Sequence, residues 1–363
     1  MKKLGFIYGS AEEVGVKIQQ NYDRMLETTK EWLKIITLDP LPETGLTPKD
    51  IVWRKNKTKL YRYANHRGYK YRTPILLLYT FVNKPYLLDL TPEMSLVRHL
   101  VDSGFDVYLL DWGIFEWEDR ELKFGDIIYD YIARAVRKVC QFSNTEELSI
   151  LGAGPGGTLA SIYAALFPKP LIKNMALLNS PIDYSGSSLY DVWLGAEGFD
   201  VDKVTDTFGL IPKDFLMNGF KMIRPVNSYI GNYTRLWRNL DQGKPIDAWK
   251  SLNKWQNDNT NFPGEMYRQM LKDFYGENKL VKDELVIKGR IVKLSEINCP
   301  LLVISGSKNH LVSTEQTKGI LEHVSSTDKT YREFPLGHVG IFFGQMAKKE
   351  VFPTVSDWLA ERS

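Results

Sequence analysis

The hexapeptide Gly152-Ala153-Gly154-Pro155-Gly156-Gly157 limits what this chain can become more than any other stretch of it. A strand-like run, Leu148 to Leu151, leads in, and the helix-like run Thr158-Leu-Ala-Ser-Ile-Tyr-Ala-Ala-Leu166 leads out. Strand, sharp turn and helix are the setting of the G-x-S-x-G elbow, which holds one nucleophilic side chain above a tight reversal. The middle position calls for Ser or Cys and here holds Gly154, which has no side chain to attack a carbonyl. The next residue ordinarily donates its backbone N–H to an oxyanion, and here it is Pro155, which has no N–H to give. The turn is that of an acyl-transfer scaffold without its attacking atom and without one of its donors.

The pattern around the turn sets the fold class. The continuous apolar run Pro74 to Val82 suits a strand buried on both faces. Asp106–Asp111, Asn174–Asn179, Leu301–Ser305 and Thr330–Pro335 read as further strands, and Lys57–Tyr63 as a short leading one. Between them, Met94–Ser103, Asp126–Val139 and Val351–Glu361 read as helices; the second carries Ile128, Ile132, Ala135, Val136 and Val139 on one stripe. Another helix begins at Ser313 with the capping box Ser-x-x-Gln316. The alternation predicts an α/β fold with a doubly wound, mostly parallel sheet, specifically an α/β-hydrolase core.

Two segments stand outside that alternation. Residues 11–37 carry Val14, Ile18, Tyr22, Met25, Leu26, Trp32, Leu33 and Ile36 at helical spacing, before a proline-rich turn at Leu38–Pro42. From about 185 to 297 the chain is crowded with Trp193, Trp237, Trp249 and Trp255 and with prolines at 212, 225, 245 and 263. A polar linker would not carry those aromatics, so the segment reads as an inserted helical cap. The expected division is 1–73 for an N-terminal helical arm and leading strands, 74–184 for the first part of the core, 185–297 for the cap and 298–363 for the second part of the core.

Composition removes several classes of function. The net charge of +3 on 363 residues is too small and too evenly spread to argue for nucleic acid. The apolar stretch after the initial lysines runs only from Leu4 to Tyr8 and is broken by Gly5, short of a signal-peptide core. No apolar run approaches the roughly 18 residues of a membrane span, and a cytoplasmic location is expected. Cys140 and Cys299 cannot build a disulfide framework and read as reduced thiols, neither of them at the elbow. His66, His99, His310 and His323 form no metal-ligand spacing; no metal and no cofactor are expected.

Where an elbow of this kind works, an acid and then a histidine follow it, each on a loop at the end of a later strand. Both loops are here: Ser305-Gly-Ser-Lys-Asn309-His310 and Phe334-Pro-Leu-Gly-His338. The acid position holds Asn309, an amide that carries no charge, while His338 stands where the general base belongs or is a relic that bonds only its own loop. Two other readings stay open. Ser180 or Ser305, near strand ends, could serve as a relocated nucleophile, although such serines more often cap turns. Gly152, Gly154 and Gly157 also spell the dinucleotide fingerprint G-x-G-x-x-G, against which stand Pro155 in the phosphate turn and the lack of an acid at Asn179-Ser180.

From about residue 44 to the end the chain resembles the polyhydroxyalkanoate synthases of class III/IV, most closely the catalytic subunit of the class IV, Bacillus-type enzymes. The resemblance rests on Gly45-Leu-Thr-Pro-Lys49, Asn83-Lys-Pro-Tyr86 with Asp89-Leu-Thr-Pro92, Leu109-Leu-Asp-Trp-Gly113, Asp206-Thr-Phe-Gly209, Phe262-Pro-Gly-Glu265 and Asp357-Trp-Leu-Ala-Glu-Arg-Ser363. It implies a reaction in which an elbow cysteine, an aspartate and a histidine polymerise 3-hydroxyacyl-CoA to polyester with release of CoA. The family cysteine aligns with Gly154, the residue after it with Pro155 and the aspartate with Asn309; His338 alone is retained. The resemblance therefore implies a degenerate, non-catalytic member. Its implied partners are a small accessory synthase subunit, another copy of itself or an active synthase, and a polyester granule surface, with the cap aromatics either forming cap core or meeting such a partner.

Overall fold

The computed structural model describes residues 11–37, 41–66, 68–167, 172–186, 199–223 and 247–363. It divides into two compact units, one of 1–43 with 220–254 and one of 44–219 with 255–363.

The larger unit is built on one eight-stranded sheet. Its strands, numbered along the chain, are β1 (Lys49–Lys55), β2 (Thr58–Tyr63), β3 (Ile75–Leu78), β4 (Val107–Asp111), β5 (Leu148–Ala153), β6 (Ile172–Leu178), β7 (Leu301–Gly306) and β8 (Lys329–Phe334). They lie in the order 1-2-4-3-5-6-7-8. β2 runs antiparallel to both of its neighbours, and the six strands from β4 to β8 are parallel. The crossovers of a parallel sheet cover both faces, which is why every residue of β3, β5 and β7 is buried and why these strands are mostly apolar in the sequence.

The helices form where the periodicity placed them, with local adjustments. The helix α1 spans Ala11–Thr37 in the smaller unit. In the larger unit α2 spans Leu96–Asp102, capped by Ser95, whose hydroxyl accepts the Arg98 N–H at 2.9 Å. The amphipathic stretch after Lys123 is helical from Phe124 to Ser143, with a π-helical insert over Ile127–Ile132. It stops at Asn144, whose φ of 52° no helix accommodates. The helix that follows the hexapeptide, α4 counting Ala133–Ser143 as α3, covers Pro155–Leu166 and is buried on all sides from Gly156 onward. The capping box at Ser313 forms in both directions, with N···O distances of 3.1 Å each way.

Within 185–297 the described residues hold helices at Val201–Phe208, Lys213–Ile223, Asp247–Asn257 and Gly264–Gln269, and two short antiparallel ribbons. Trp255 is buried and its indole donates to the Lys84 carbonyl at 2.8 Å. Trp193, Trp237, Pro225, Pro245, the first ten residues and Leu38–Pro40 lie outside the described residues. No described helix is long and apolar enough to cross a membrane.

Candidate active site

The turn at the hexapeptide has the backbone of an elbow with no side chain at its centre. Gly154 follows β5 and caps α4 with φ 55° and ψ −136°, a conformation that a side chain bears only under strain. Its N–H is held by the Leu178 carbonyl at 2.9 Å, and its carbonyl accepts the Gly157 N–H at 2.9 Å. A Cβ on Gly154 would meet nothing within 4 Å. The neighbouring glycines are there for another reason: a Cβ at Gly156 would overlap the Leu78 carbonyl, and one at Gly157 the Ser180 hydroxyl. Close packing of α4 against the sheet thus demands Gly156 and Gly157, whereas no contact demands Gly154.

Pro155 occupies the first turn of α4, where its fixed φ suits the helix and the missing N–H costs the helix nothing. That fit explains how a proline stands at this point without disturbing the turn. It also removes from the elbow the N–H that would face an oxyanion.

The tertiary structure brings Asn309 and His338 together, 29 residues apart in the chain. Asn309 Nδ2 lies 3.1 Å from His338 Nδ1. The orientation of the amide follows from its other end, because Asn309 Oδ1 accepts the N–H groups of Leu311 at 3.0 Å and Val312 at 3.1 Å. Turning the amide over would set its NH2 against two donors. Asn309 therefore donates to Nδ1, and Nδ1 of the neutral ring must be the unprotonated nitrogen, with the proton on Nε2. A general base in a triad needs the opposite arrangement: Nδ1–H bound to a carboxylate and Nε2 free to accept. Burial, and secondarily the neighbouring His310, push the His338 pKa down to about 4, so the ring is neutral at pH 7 but in the wrong tautomer for the task.

The alternative nucleophiles are tied up. Ser180 is fully buried, and its hydroxyl donates to the carbonyls of Gly152 and Leu178 at 3.3 Å each. Ser305, 1 % exposed inside β7, pairs with the Tyr331 hydroxyl at 2.7 Å. Burial raises the thiol pKa of Cys140, and pushes that of Cys299 up to about 11, away from the thiolate that attack requires. The end of β6 at Leu178–Asn179 supplies no acidic ribose partner, which a dinucleotide site would place there. Among the described residues no cluster of His, Cys, Asp and Glu could hold a metal.

One group of residues escaped the sequence reading. Leu178, Asn179 and Ser180, where β6 ends, bond to the elbow on one side and to the later loops on the other. In the sequence Asn179 stood out only as a strand end without an acid, and nothing there announces a partner 159 residues further on.

The strand order and the elbow between β5 and α4 define an α/β-hydrolase-fold protein, and the family model for that fold matches residues 73–345. Solved structures agree on the fold. A putative lipase from Sulfolobus solfataricus superposes with a TM-score of 0.58 at 14% identity, over 87% of this chain and 93% of its own. DcsB in complex with its substrate analogue gives 0.57 at 14% identity, over 86% and 99%. Within the class the resemblance is narrower. The model described as Poly-beta-hydroxybutyrate polymerase (PhaC) N-terminus matches residues 42–100. The poly(3-hydroxyalkanoate) polymerase subunit PhaC of Synechocystis sp. is 34% identical over 358 residues, 96% of this chain and 94% of that protein. That of Haloferax mediterranei is 35% identical over 320 residues, 88% of this chain and 65% of that one. The chain belongs to the PhaC family of poly(3-hydroxyalkanoate) polymerase subunits.

Proposed function

We propose that this chain is a non-catalytic member of the PhaC family, acting by association with an active synthase, with an accessory subunit or with the polyester granule rather than by turnover of 3-hydroxyacyl-CoA. The observation that carries the reading is the hydrogen bond from Asn309 to His338 Nδ1, in a chain whose elbow turn holds Gly154 and Pro155. Loss of a triad nucleophile costs on the order of a million-fold in turnover, and exchange of the acid for its amide about ten thousand-fold. These losses do not add, because a dead triad still leaves roughly a thousand-fold catalysis from the oxyanion hole and binding. Here that remainder is itself reduced, since Pro155 supplies no donor, and one donor is worth about a hundred- to a thousand-fold.

An active enzyme with a displaced nucleophile is the competing reading. The buried, bonded states of Ser180 and Ser305 and the raised pKa values of both thiols weigh against it. The helix Ala11–Thr37 and the described part of 185–297 contribute no strand to the eight-stranded sheet, and we assign the association to these two segments.

One assay separates the readings: CoA release from 3-hydroxybutyryl-CoA by the purified chain, alone and mixed with an active synthase. No release alone, with a changed rate, lag or assembly size in the mixture, is the expected result. Release by the chain alone overturns it, and a mixture indistinguishable from the active synthase removes the associative role.

A further inference from the structure

We propose that Asn179 is the positioning residue of this site, the clamp that holds the His338 loop in register with the elbow and with the Asn309 loop. The inference rests on the reading of His338 as the retained site histidine, not on whether the chain turns over.

Asn179 follows the last residue of β6 and is completely buried. Its side chain makes two complementary hydrogen bonds to two different loops. Nδ2 donates to the His338 carbonyl at 2.9 Å, and Oδ1 accepts the Gly306 N–H at 2.9 Å, where β7 ends on its way to Asn309. The backbone N–H donates to the Ile304 carbonyl at 2.8 Å. The residues on either side complete the bracket: the Leu178 carbonyl receives the Gly154 N–H, and the Ser180 hydroxyl donates to the Gly152 carbonyl. The nucleophile, acid and histidine positions come from three separate loops, and this tripeptide bonds to the ends of β5 and β7 and to the His338 loop.

The residue type is tightly specified. The position has φ 48°, the left-handed region that Asn enters more readily than other side chains. One partner is a donor and the other an acceptor, so only an amide satisfies both. A carboxylate would set oxygen against the His338 carbonyl, and a small apolar residue would leave a buried N–H and C=O unpaired. The Asn309 to Nδ1 contact at 3.1 Å is made by the ring of the residue whose carbonyl Asn179 grips. Releasing that carbonyl lets Nδ1 leave Asn309 and frees the tautomer.

Selective 15N-histidine labelling of the full chain tests this, since there are only five imidazoles and His338 is assigned by its disappearance in His338→Gln. In the unaltered chain His338 should show one tautomer, unprotonated at Nδ1 and protonated at Nε2. Asn179→Gly keeps the left-handed backbone and removes only the amide. It should move both His338 nitrogens toward tautomer-averaged positions. Asn309→Ala, which removes the lock directly, sets the size of full release. Asn174→Ala is the control for general loosening: Asn174 is as deeply buried on β6, bonds Ser149 Oγ and the Arg362 carbonyl, and should leave His338 unchanged.

The proposal is overturned if His338 is already averaged in the unaltered chain, if Asn179→Gly leaves its spectrum unchanged, or if Asn174→Ala moves it as far. Should Asn179→Gly not fold, Asn179→Asp replaces it. That variant keeps the acceptor for Gly306 and loses the donor for His338, and the same shift is expected, with an unshifted His338 overturning the proposal. These spectra are independent of CoA release, so the inference and the proposed function fail separately.

Discussion

Gly154 is a position where a side chain has room. A Cβ there meets no atom within 4 Å, so Gly154→Cys should fold, at a backbone-strain cost of about 1 to 3 kcal/mol for a side chain at φ 55° and ψ −136°. It should still release no measurable CoA, because Pro155 gives no N–H and His338 Nδ1 accepts from Asn309. Substantial turnover in that single variant would show that the other two losses matter little. His338 also leaves a signature in stability. Its folded pKa of about 4 lies below the ordinary 6.5, so between those values the unfolded chain binds more proton. The contribution of the neutral ring is fully present above pH 6.5, is lost as the pH falls toward 4, and amounts to no more than about 3 kcal/mol. Denaturation of the unaltered chain and of His338→Gln at pH 7 and pH 5 checks this; the gap between them should shift toward the variant at the lower pH.

The elbow as an element separates glycines that packing demands from the one that only its backbone angles favour. Gly157→Ala drives a methyl into the Ser180 side chain beneath α4 and should destabilise by about 3 kcal/mol or more, beyond Gly154→Ala, whose cost is backbone strain alone. Comparing urea midpoints of the two variants decides it. The sequence marked all these glycines alike, because a G-x-G-x-G-G string does not say which glycine faces a backbone and which faces open space. It did mark the helix that follows Asp126 by its apolar stripe, but not the π-helical insert over Ile127–Ile132. One extra residue per turn shifts the stripe too little to break the pattern, and Ile128, Ile132, Ala135, Val136 and Val139 all remain buried.

Over the whole molecule, distant motifs turn out to be single joints. Gly45-Leu-Thr-Pro and Asp89-Leu-Thr-Pro, read in the sequence only as matching strings, meet through the buried Asp89 carboxylate. It accepts from the Thr47 N–H at 3.0 Å and from the hydroxyls of Thr47 and Ser95 at 2.6 Å each. Asp89→Ala strands those donors in the interior and should cost about 3 kcal/mol or more, read as a lowered denaturation midpoint with His338 titration unaltered. The same folding that joins those motifs brings Asn309 to His338 and Asn179 to both of their loops.

The missing thiol, the missing N–H and the missing charge could all be read in the linear chain, because each is a property of one side chain or one backbone nitrogen. So could the order of strands and helices, since burial on one face or two imprints a period on the residues. Which nitrogen of His338 carries its proton could not be read that way, and neither could the grip of Asn179. Both depend on the direction of hydrogen bonds between loops far apart in sequence, and direction exists only once the sheet has set their ends side by side.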